Sequence, residues 1–443
     1  MNVVKVGGSS LRCQDDIERL AQRLRMDHRP PTVVVTSALP TVTRRLEEAA
    51  YAAHKGNLSA AQAIVSALVE EHRQLANAML SEQATIDALQ LLFDEIHTAL
   101  DRLLRGVAIT RELTPRTFDR ITSKGEHLAL HLLHHILHER GLETATIPAT
   151  ELVVTDSTYG NAQPLVEHTA TRVRDRLLPM LEQVGYVLTE GFVGTTLDGD
   201  VTTMGKESSS LTAALIAALI GARELVLYTP VAGIYTADPA IIPTAQLIAR
   251  LSYEHAEEVA HAGLKLLYPT MIAPLREHEI TLTVAAVGSV DVHRTLITAC
   301  ESSSGAFVLM AEALAAIGLP HSIYREALQK GWHHQGISLE RGARTVIAAA
   351  QHELAQLFEW GLSSNGKGIP ALQLRVWMHT SETRTIEAAL QRCAQLPSLE
   401  GLTLVRGEQS ALITALILSQ KWQVLPSLHE HLVQVCGYRY VPV

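Results

Sequence analysis

Cysteine is scarce in this chain. Cys13, Cys300, Cys393 and Cys436 are the four in 443 residues, and they stand far apart. That spacing excludes a small disulfide scaffold and a paired-thiolate metal site, and a reducing compartment is the plainer setting. Long apolar runs are missing too: Ala213 to Leu219 is far too short to span a bilayer. No charged leader or apolar signal core precedes the first strand-like residues, so a cytoplasmic location without membrane attachment is expected. Basic side chains number 37 against 46 acidic ones, for a formal charge of -9. That balance argues against a nucleic-acid surface, while a local patch can still oppose the global sign and hold small anions. What the chain does have is 47% hydrophobic residues, enough for one large core and at least one smaller one.

The opening segment, Asn2-Val3-Val4-Lys5-Val6-Gly7-Gly8-Ser9-Ser10, reads as an apolar strand, a lysine and a bare-backbone turn. A helical pattern at Ile17, Leu20, Ala21 and Leu24 follows. Backbone amides of Gly7, Gly8 and Ser9, a helix start and one ammonium then face a common point, which suits phosphate. The lysine precedes the glycines, unlike the P-loop order, so another kind of kinase is suggested. Lys5 abuts a buried strand at the end where open α/β sheets bind ligands, which favours a phosphate-bridging role over a plain surface lysine.

Short apolar runs followed by turns and helical patterns predict strand–loop–helix units around buried parallel strands. These runs lie at Val3–Val6, Thr32–Val35, Ala145–Ile147, Glu151–Thr155, Val187–Phe192, Leu225–Tyr228 and Ile280–Val284. From about 46 to 110 the composition turns to Ala, Leu, Glu, Gln and His, a helical excursion beside the sheet. A helix is expected from Ser209 through Ile220, stopped by Gly221. After a break near Gly288–Arg294 two smaller cycles are expected. The first has strand Thr295–Ala299, helix Gly305–Ile317, strands His321–Arg325 and Gln335–Leu339, and helix Ala343–Leu357. A linker at Gly361–Gly368 leads to strand Leu372–Met378, helix Glu382–Leu396, strands Leu402–Val405 and Ala411–Leu416, helix Leu428–Cys436 and strand Tyr438–Val441. Two βαββαβ-like modules account for that order, and their lack of clustered reactive residues fits ligand sensing or subunit contact.

Several polar groups punctuate these runs. Ser37 follows the second strand, and Thr43 is either a helix N-cap or a hydroxyl for substrate oxygens. Glu126, three residues after Ser123, is either a capping-box carboxylate or a partner for a substrate ammonium. The stretch from Gly191 to Ala213 reads as an Asp-Gly hairpin feeding Gly205-Lys206-Glu207-Ser208-Ser209-Ser210 at the mouth of an apolar helix. Lys206, the hydroxyls and the helix amides make an anion nest there. Thr229, Gly233, Tyr235 and Asp238 lie in a low-bulk loop shaped for a nucleotide base and ribose, with Tyr235 equally explicable as packing. Lys265 either snorkels from an apolar helical segment or meets phosphate. The histidines at 131, 134, 135 and 138 share an expected helix without a zinc motif, Trp332-His333-His334 is similarly unsupported as a metal cluster, and no metal site is expected.

These motifs resemble the aspartate kinases of the amino-acid kinase superfamily over nearly the whole chain. The family's Lys-Phe-Gly-Gly-Thr-Ser is similar to Lys5–Ser10, its Val-Val-Ser-Ala to Val34–Ala38 with one extra residue, and its Ser-x-Gly-Glu to Ser123–Glu126. Thr-Ala-Asp-Pro stands unchanged at Thr236–Pro239, and Gly-x-Lys-Val-Leu-His-Pro is similar to Gly263–Pro269. The resemblance implies an α/β amino-acid-kinase fold, a three-layer αβα sandwich on a largely parallel sheet, over residues 1–288. Two α+β ACT-like (ferredoxin-like) modules would follow at 289–360 and 369–443. It implies that ATP, with Mg²⁺ bound mainly through its phosphates, phosphorylates the side-chain carboxylate of L-aspartate, the first step toward lysine, threonine and methionine. Lys5 would stabilise the moving phosphoryl group, Glu126 would hold the substrate ammonium near Ser37 and Thr43, and Lys206 would grip the α-carboxylate in place of the family arginine. Thr229, Tyr235 and Lys265 would lie around ATP.

Departures sit in the same motifs. The family's Gly-Arg-Gly-Gly-Ser-Asp reads Gly205–Ser210, with Ser210 where an aspartate organises the catalytic lysine and Glu207 as a neighbouring carboxylate. Pro230 and Ala240 replace an aspartate and an arginine of the nucleotide loop. A related kinase with a different acid substrate, or a non-catalytic amino-acid-sensing homologue, is the alternative these changes motivate. The ACT-like modules imply assembly into a homodimer or higher homo-oligomer and feedback by lysine or threonine. The polar effector loop has become His321–Glu326, and Gly318 is expected either as a turn near the effector pocket or as an ordinary helix stop.

Overall fold

Val3, Val4 and Val6 of the first strand have no exposed surface, and neither has any of Val33, Val34 and Val35 in the second. Runs apolar on both faces are what a parallel sheet covered on two sides requires. A computed structural model describes residues 1–27, 30–288, 293–329, 337–341, 344–349, 369–380, 382–397, 399–407, 409–417 and 422–436. The chain divides into two units, Met1–Gly233 with Leu266–Cys300, and Ile234–Lys265 with Glu301–Val443.

In the first unit β1 (Asn2–Val6) leads to α1 (Gln14–Asp27), β2 (Thr32–Thr36) and the helices α2 (Val42–His54), α3 (Leu58–Met79), α4 (Gln83–Thr110), α5 (Pro115–Thr122) and α6 (Lys124–Glu139). Then come β3 (Thr144–Thr146), α7 (Ala149–Leu152), β4 (Tyr186–Glu190), the hairpin β5 (Val193–Thr195) and β6 (Val201–Thr203), α8 (Ser209–Leu219) and β7 (Glu224–Thr229). The unit closes with α9 (Ile272–Glu277), β8 (Thr281–Ala286) and β9 (Thr295–Thr298). The strands run β3-β4-β2-β1-β7-β8-β9, parallel through β8, with β9 antiparallel at β8. Register aligns Val6 with Thr36 and Tyr228, and Thr36 with Glu190, so four strands end side by side. Their following loops therefore share one edge, where ligands of open α/β sheets bind.

The helical excursion packs by stripes. Ala61, Val65, Leu68, His72, Ala76 and Met79 of α3 are buried, as are Leu89, Phe93, Ile96, Leu100, Leu104 and Val107 of α4, at three- and four-residue spacing. Each large apolar side chain so buried contributes about 1.5–3 kcal/mol. Gly221, at φ +61°, follows the end of α8 where the apolar run predicts a stop. Among the described residues no helix is long and apolar enough to cross a membrane.

The second unit carries β10 (Phe307–Pro320), α10 (His321–Gln329), β11 (Ile337–Arg341), β12 (Arg344–Ala349), β13 (Ile369–Met378), α11 (Thr383–Ala394), β14 (Leu399–Arg406), β15 (Ala411–Ile417) and α12 (Val424–Cys436). One antiparallel sheet runs β11-β12-β10-β13-β15-β14. The segment Ile234–Lys265 belongs to this unit: Leu309 N–H donates to the Thr236 carbonyl at 2.8 Å, and Trp377 Nε1–H to Glu258 at 2.9 Å.

Several expected elements differ. Thr295–Thr298 extends the large sheet instead of opening a small module. The Ala-rich stretch expected as helix Gly305–Ile317 lies in β10, because two flanking strands satisfy its backbone and override helix propensity. His321–Arg325, expected as a strand, is helical in α10, so His321–Glu326 is helix rather than loop. Gly318 pairs with Val346 inside the sheet and is neither turn nor helix stop. Arg344–Ala349 is a strand where a helix was expected, and the rest of Ala343–Leu357 lies outside the described residues. Glu151–Thr155 is not a sheet strand: Ala149–Leu152 is helical and Val154 and Thr155 make isolated bridges. Trp332-His333-His334, the linker 361–368 and Tyr438–Val441 also lie outside the described residues.

Candidate functional site

The turn after β1 is tight. Gly7 N–H approaches the Tyr228 carbonyl at 3.5 Å and Ser10 Oγ donates to the same oxygen at 2.9 Å. The Gly7 amide is thus turned toward β7, and Gly8 and Ser9 supply the first donors of the turn Gly8–Ser10. A Cβ on Gly8 would collide with the Ala38 carbonyl, so only glycine lets the two loops touch. Lys5 is half-buried, and its Nζ lies 3.2 Å from where a Gly7 Cβ would stand. Desolvation pulls its ammonium down to about 8, with the Glu207 carboxylate pushing the other way.

Across the same edge Glu126 sits in the first turn of α6, 4% exposed. Ser123 makes no side-chain cap, its hydroxyl donating to the Arg120 carbonyl at 3.3 Å. The capping-box explanation of Glu126 therefore fails. Thr43 Oγ1 lies 3.4 Å from Glu126 Oε1, while Oε2 is buried with no hydrogen-bond partner. Burial lifts this carboxyl to about 8, and the amides of Glu126 and Ala38 and the Thr43 hydroxyl oppose the rise while Glu190 adds to it. Thr43 stands inside α2, whose N-cap position is Thr41. Ser37 is half-buried just beyond β2.

Lys206, Glu207 and the three serines form the approach to α8. Gly205 and Glu207 are left-handed, at φ +88° and +68°. Ser208, Ser209 and Ser210 are all buried, and Ser208 Oγ donates to the Gly205 carbonyl at 2.6 Å. A Cβ on Gly191 would stand 2.5 Å from that of Ser209, so β4 meets the helix start through bare backbone. Lys206 is largely exposed, its Nζ 3.1 Å from Glu47 Oε2 on α2. The Thr229 hydroxyl is taken by the Val231 carbonyl at 2.6 Å, and Gly233 is buried.

The remaining nucleotide-loop residues belong to the second unit. Tyr235 bridges to Leu247, and Asp238 Oδ1 accepts from Ala240 N–H at 2.9 Å. Lys265 is 78% exposed and 3.7 Å from Glu312, so the expected helical, solvent-poor setting is corrected: it follows helix Tyr253–His261 in a turn.

Three acidic residues were missed. Glu190, 3% exposed at the end of β4, accepts from Ala149 N–H at 3.0 Å and lies 3.4 Å from His127 Nδ1. A charge abutting a buried strand, the signal used for Lys5, would have found it. Asp119 accepts from Gly160 N–H, Thr203 N–H and Thr203 Oγ1 at 2.8–2.9 Å, fixing the hairpin. Glu47 looks like an ordinary helix-surface charge, and only tertiary structure brings it to Lys206.

Residues 1–286 match the amino acid kinase family. The lysine-sensitive aspartokinase 3 of Escherichia coli is 31% identical over 43% of this chain and 43% of its own length. Chlamydia trachomatis aspartokinase is 30% identical over 68% and 66%, and that of Geobacillus stearothermophilus 28% over 49% and 52%. The match thus spans between 43% and 66% of the length of these curated relatives. In structure it is similar to E. coli aspartokinase III in complex with aspartate and ADP, at TM-score 0.72 and 19% identity over 99% of this chain and 100% of that one. The lysine- and aspartate-bound form of that protein gives 0.72 and 21%, over 98% and 99%; both likenesses bear on the fold. With the strand-end loops and the match over residues 1–286 taken together, this chain belongs to the amino acid kinase family.

Proposed function

We propose that the chain is an aspartate kinase, which transfers the terminal phosphoryl group of ATP to the side-chain carboxylate of L-aspartate and releases ADP and 4-phospho-L-aspartate. The observation that carries this reading is the pairing of two unusual groups at one sheet edge. One is a half-buried ammonium over a glycine turn, Lys5; the other is a buried carboxyl with an unpartnered oxygen, Glu126. The first suits a phosphoryl group and the second a substrate ammonium.

In this reading an oxygen of the aspartate side chain forms a bond to the γ-phosphorus as the bond to the β,γ-bridging oxygen breaks. Lys5 and the Gly8 and Ser9 amides neutralise charge on the transferring oxygens. Glu126 receives the ammonium, Thr43 and Ser37 offer hydroxyls, and Lys206 meets the α-carboxylate as a point charge rather than a fork. Ser209 and Ser210 offer hydroxyls at the start of α8. Mg²⁺ would be held mainly by the nucleotide phosphates. Glu207, whose charge Lys5 feels, is a hard oxygen donor of the kind such an ion accepts, and it offsets the missing carboxylate at Ser210. Thr229, Gly233, Tyr235, Asp238 and Lys265 are assigned to the nucleotide.

The second unit is proposed to hold two ACT-like modules that bind lysine or threonine and join a cytoplasmic homodimer. Sedimentation with each amino acid tests the assembly. The central test is aspartate-dependent ADP release with ATP and Mg²⁺. Lys5→Ala should lower it by about two orders of magnitude or more with an unchanged circular dichroism spectrum. Turnover of another acid and none of aspartate would instead indicate a related kinase.

A further inference from the structure

Lys206 and Glu47 are 159 positions apart, yet their charged atoms meet at 3.1 Å. Their exposures differ: the Lys206 side chain is 79% exposed and that of Glu47 18%. The carboxylate is therefore the positioned member and the lysine the mobile one. Glu47 lies one turn beyond Thr43 on α2, so the two share a face, and Thr43 reaches Glu126. A second carboxylate, Glu47, thus stands one helical turn from the Thr43 that reaches Glu126, and it already pairs with the loop's cation.

We propose that Glu47 is a specificity-determining residue that filters acceptors by charge, favouring acids that bring their own ammonium group. This rests on the reading of Lys206 as the cation for the acceptor's α-carboxylate. An incoming carboxylate must draw Lys206 away from Glu47 and then lie near a fixed negative charge. An acceptor with an ammonium recovers that loss through its attraction to Glu47 and Glu126. A dicarboxylate without one does not. Because its lysine is largely solvated the pair is weak, so exchange of partners is easy and the filter acts on affinity rather than on the chemical step.

The test uses the full chain with a non-hydrolysable ATP analogue and Mg²⁺, titrating L-aspartate and succinate calorimetrically into the wild type, Glu47→Gln, Glu47→Asp and Glu47→Gln/Lys206→Ala. Glu47→Gln is expected to tighten succinate by roughly two- to fivefold, the span of an exposed ion pair, with aspartate changing by less than about twofold. Glu47→Asp should restore the discrimination, and the double variant should lose the gain. Equal shifts for both acids, no shift for either, or no binding of either acid to the wild type would overturn the proposal. Turnover is read separately. A protein that shows the binding shifts but phosphorylates no aspartate sinks the kinase reading and leaves the filter standing.

Discussion

Burial shifts both Lys5 and Glu126 toward their neutral forms. Glu126 is lifted from 4.5 to about 8 by burial, so the folded protein retains a proton there that the unfolded chain has released. Stability from this group therefore falls as pH rises from about 4.5 to about 8. Glu126→Gln should melt at a higher temperature than wild type at pH 8, the gap closing toward pH 5, and equal melting at both would refute the buried charge. Lys5 is lowered from 10.5 to about 8, so its protonated form opposes folding at neutral pH and the loss disappears above about 10.5. The two groups also set the reaction's pH profile. Aspartate needs Glu126 ionised and phosphate needs Lys5 charged, so kcat/KM should rise toward pH 8 and fall beyond it. A flat profile between pH 6 and 9 would contradict this pairing. Glu207, left-handed at φ +68°, carries a backbone strain of about 1 kcal/mol. Glu207→Gly should relieve it, raising the melting temperature, and should lower the Lys5 pKa further, as a Lys-specific NMR titration would show.

Elements meet at this edge through missing side chains. Gly8 allows the first loop to touch Ala38, and Gly191 allows β4 to reach Ser209. Gly191→Ala should destabilise the protein by about 1–3 kcal/mol through overpacking and displace the start of α8, visible as a lowered midpoint in urea. A midpoint within error of wild type would mean the contact yields freely. The same elements show what was readable. Buried strands β1, β2, β4 and β7 were legible because parallel strands are apolar on both faces. The β10 stretch was not, since Ala and Leu serve helices equally well and only its partners decide.

For the whole molecule, the second unit begins inside the first unit's sequence. Residues 234–265 carry Thr236, His255 and Glu258, which bond to Leu309, His429, Ser302 and Trp377. A chain cut after Cys300 would lose all four of these partners and strand buried polar groups. Such a fragment is expected to aggregate or melt well below the full chain on thermal scanning. A fragment that melts like the full chain would show that the segment stands alone.

Local order alone was enough to specify the glycine turn after β1, the buried parallel strands β1, β2, β4 and β7 and the helical excursion, because each follows from which side chains recur within a few positions. It singled out Lys5, Lys206 and the serine-rich loop as candidates in the same way. Tertiary folding alone brought Glu47 to Lys206 and left a Glu126 oxygen unpartnered. Charge pairing and desolvation depend on neighbours scores of residues away, and no window along the chain contains them.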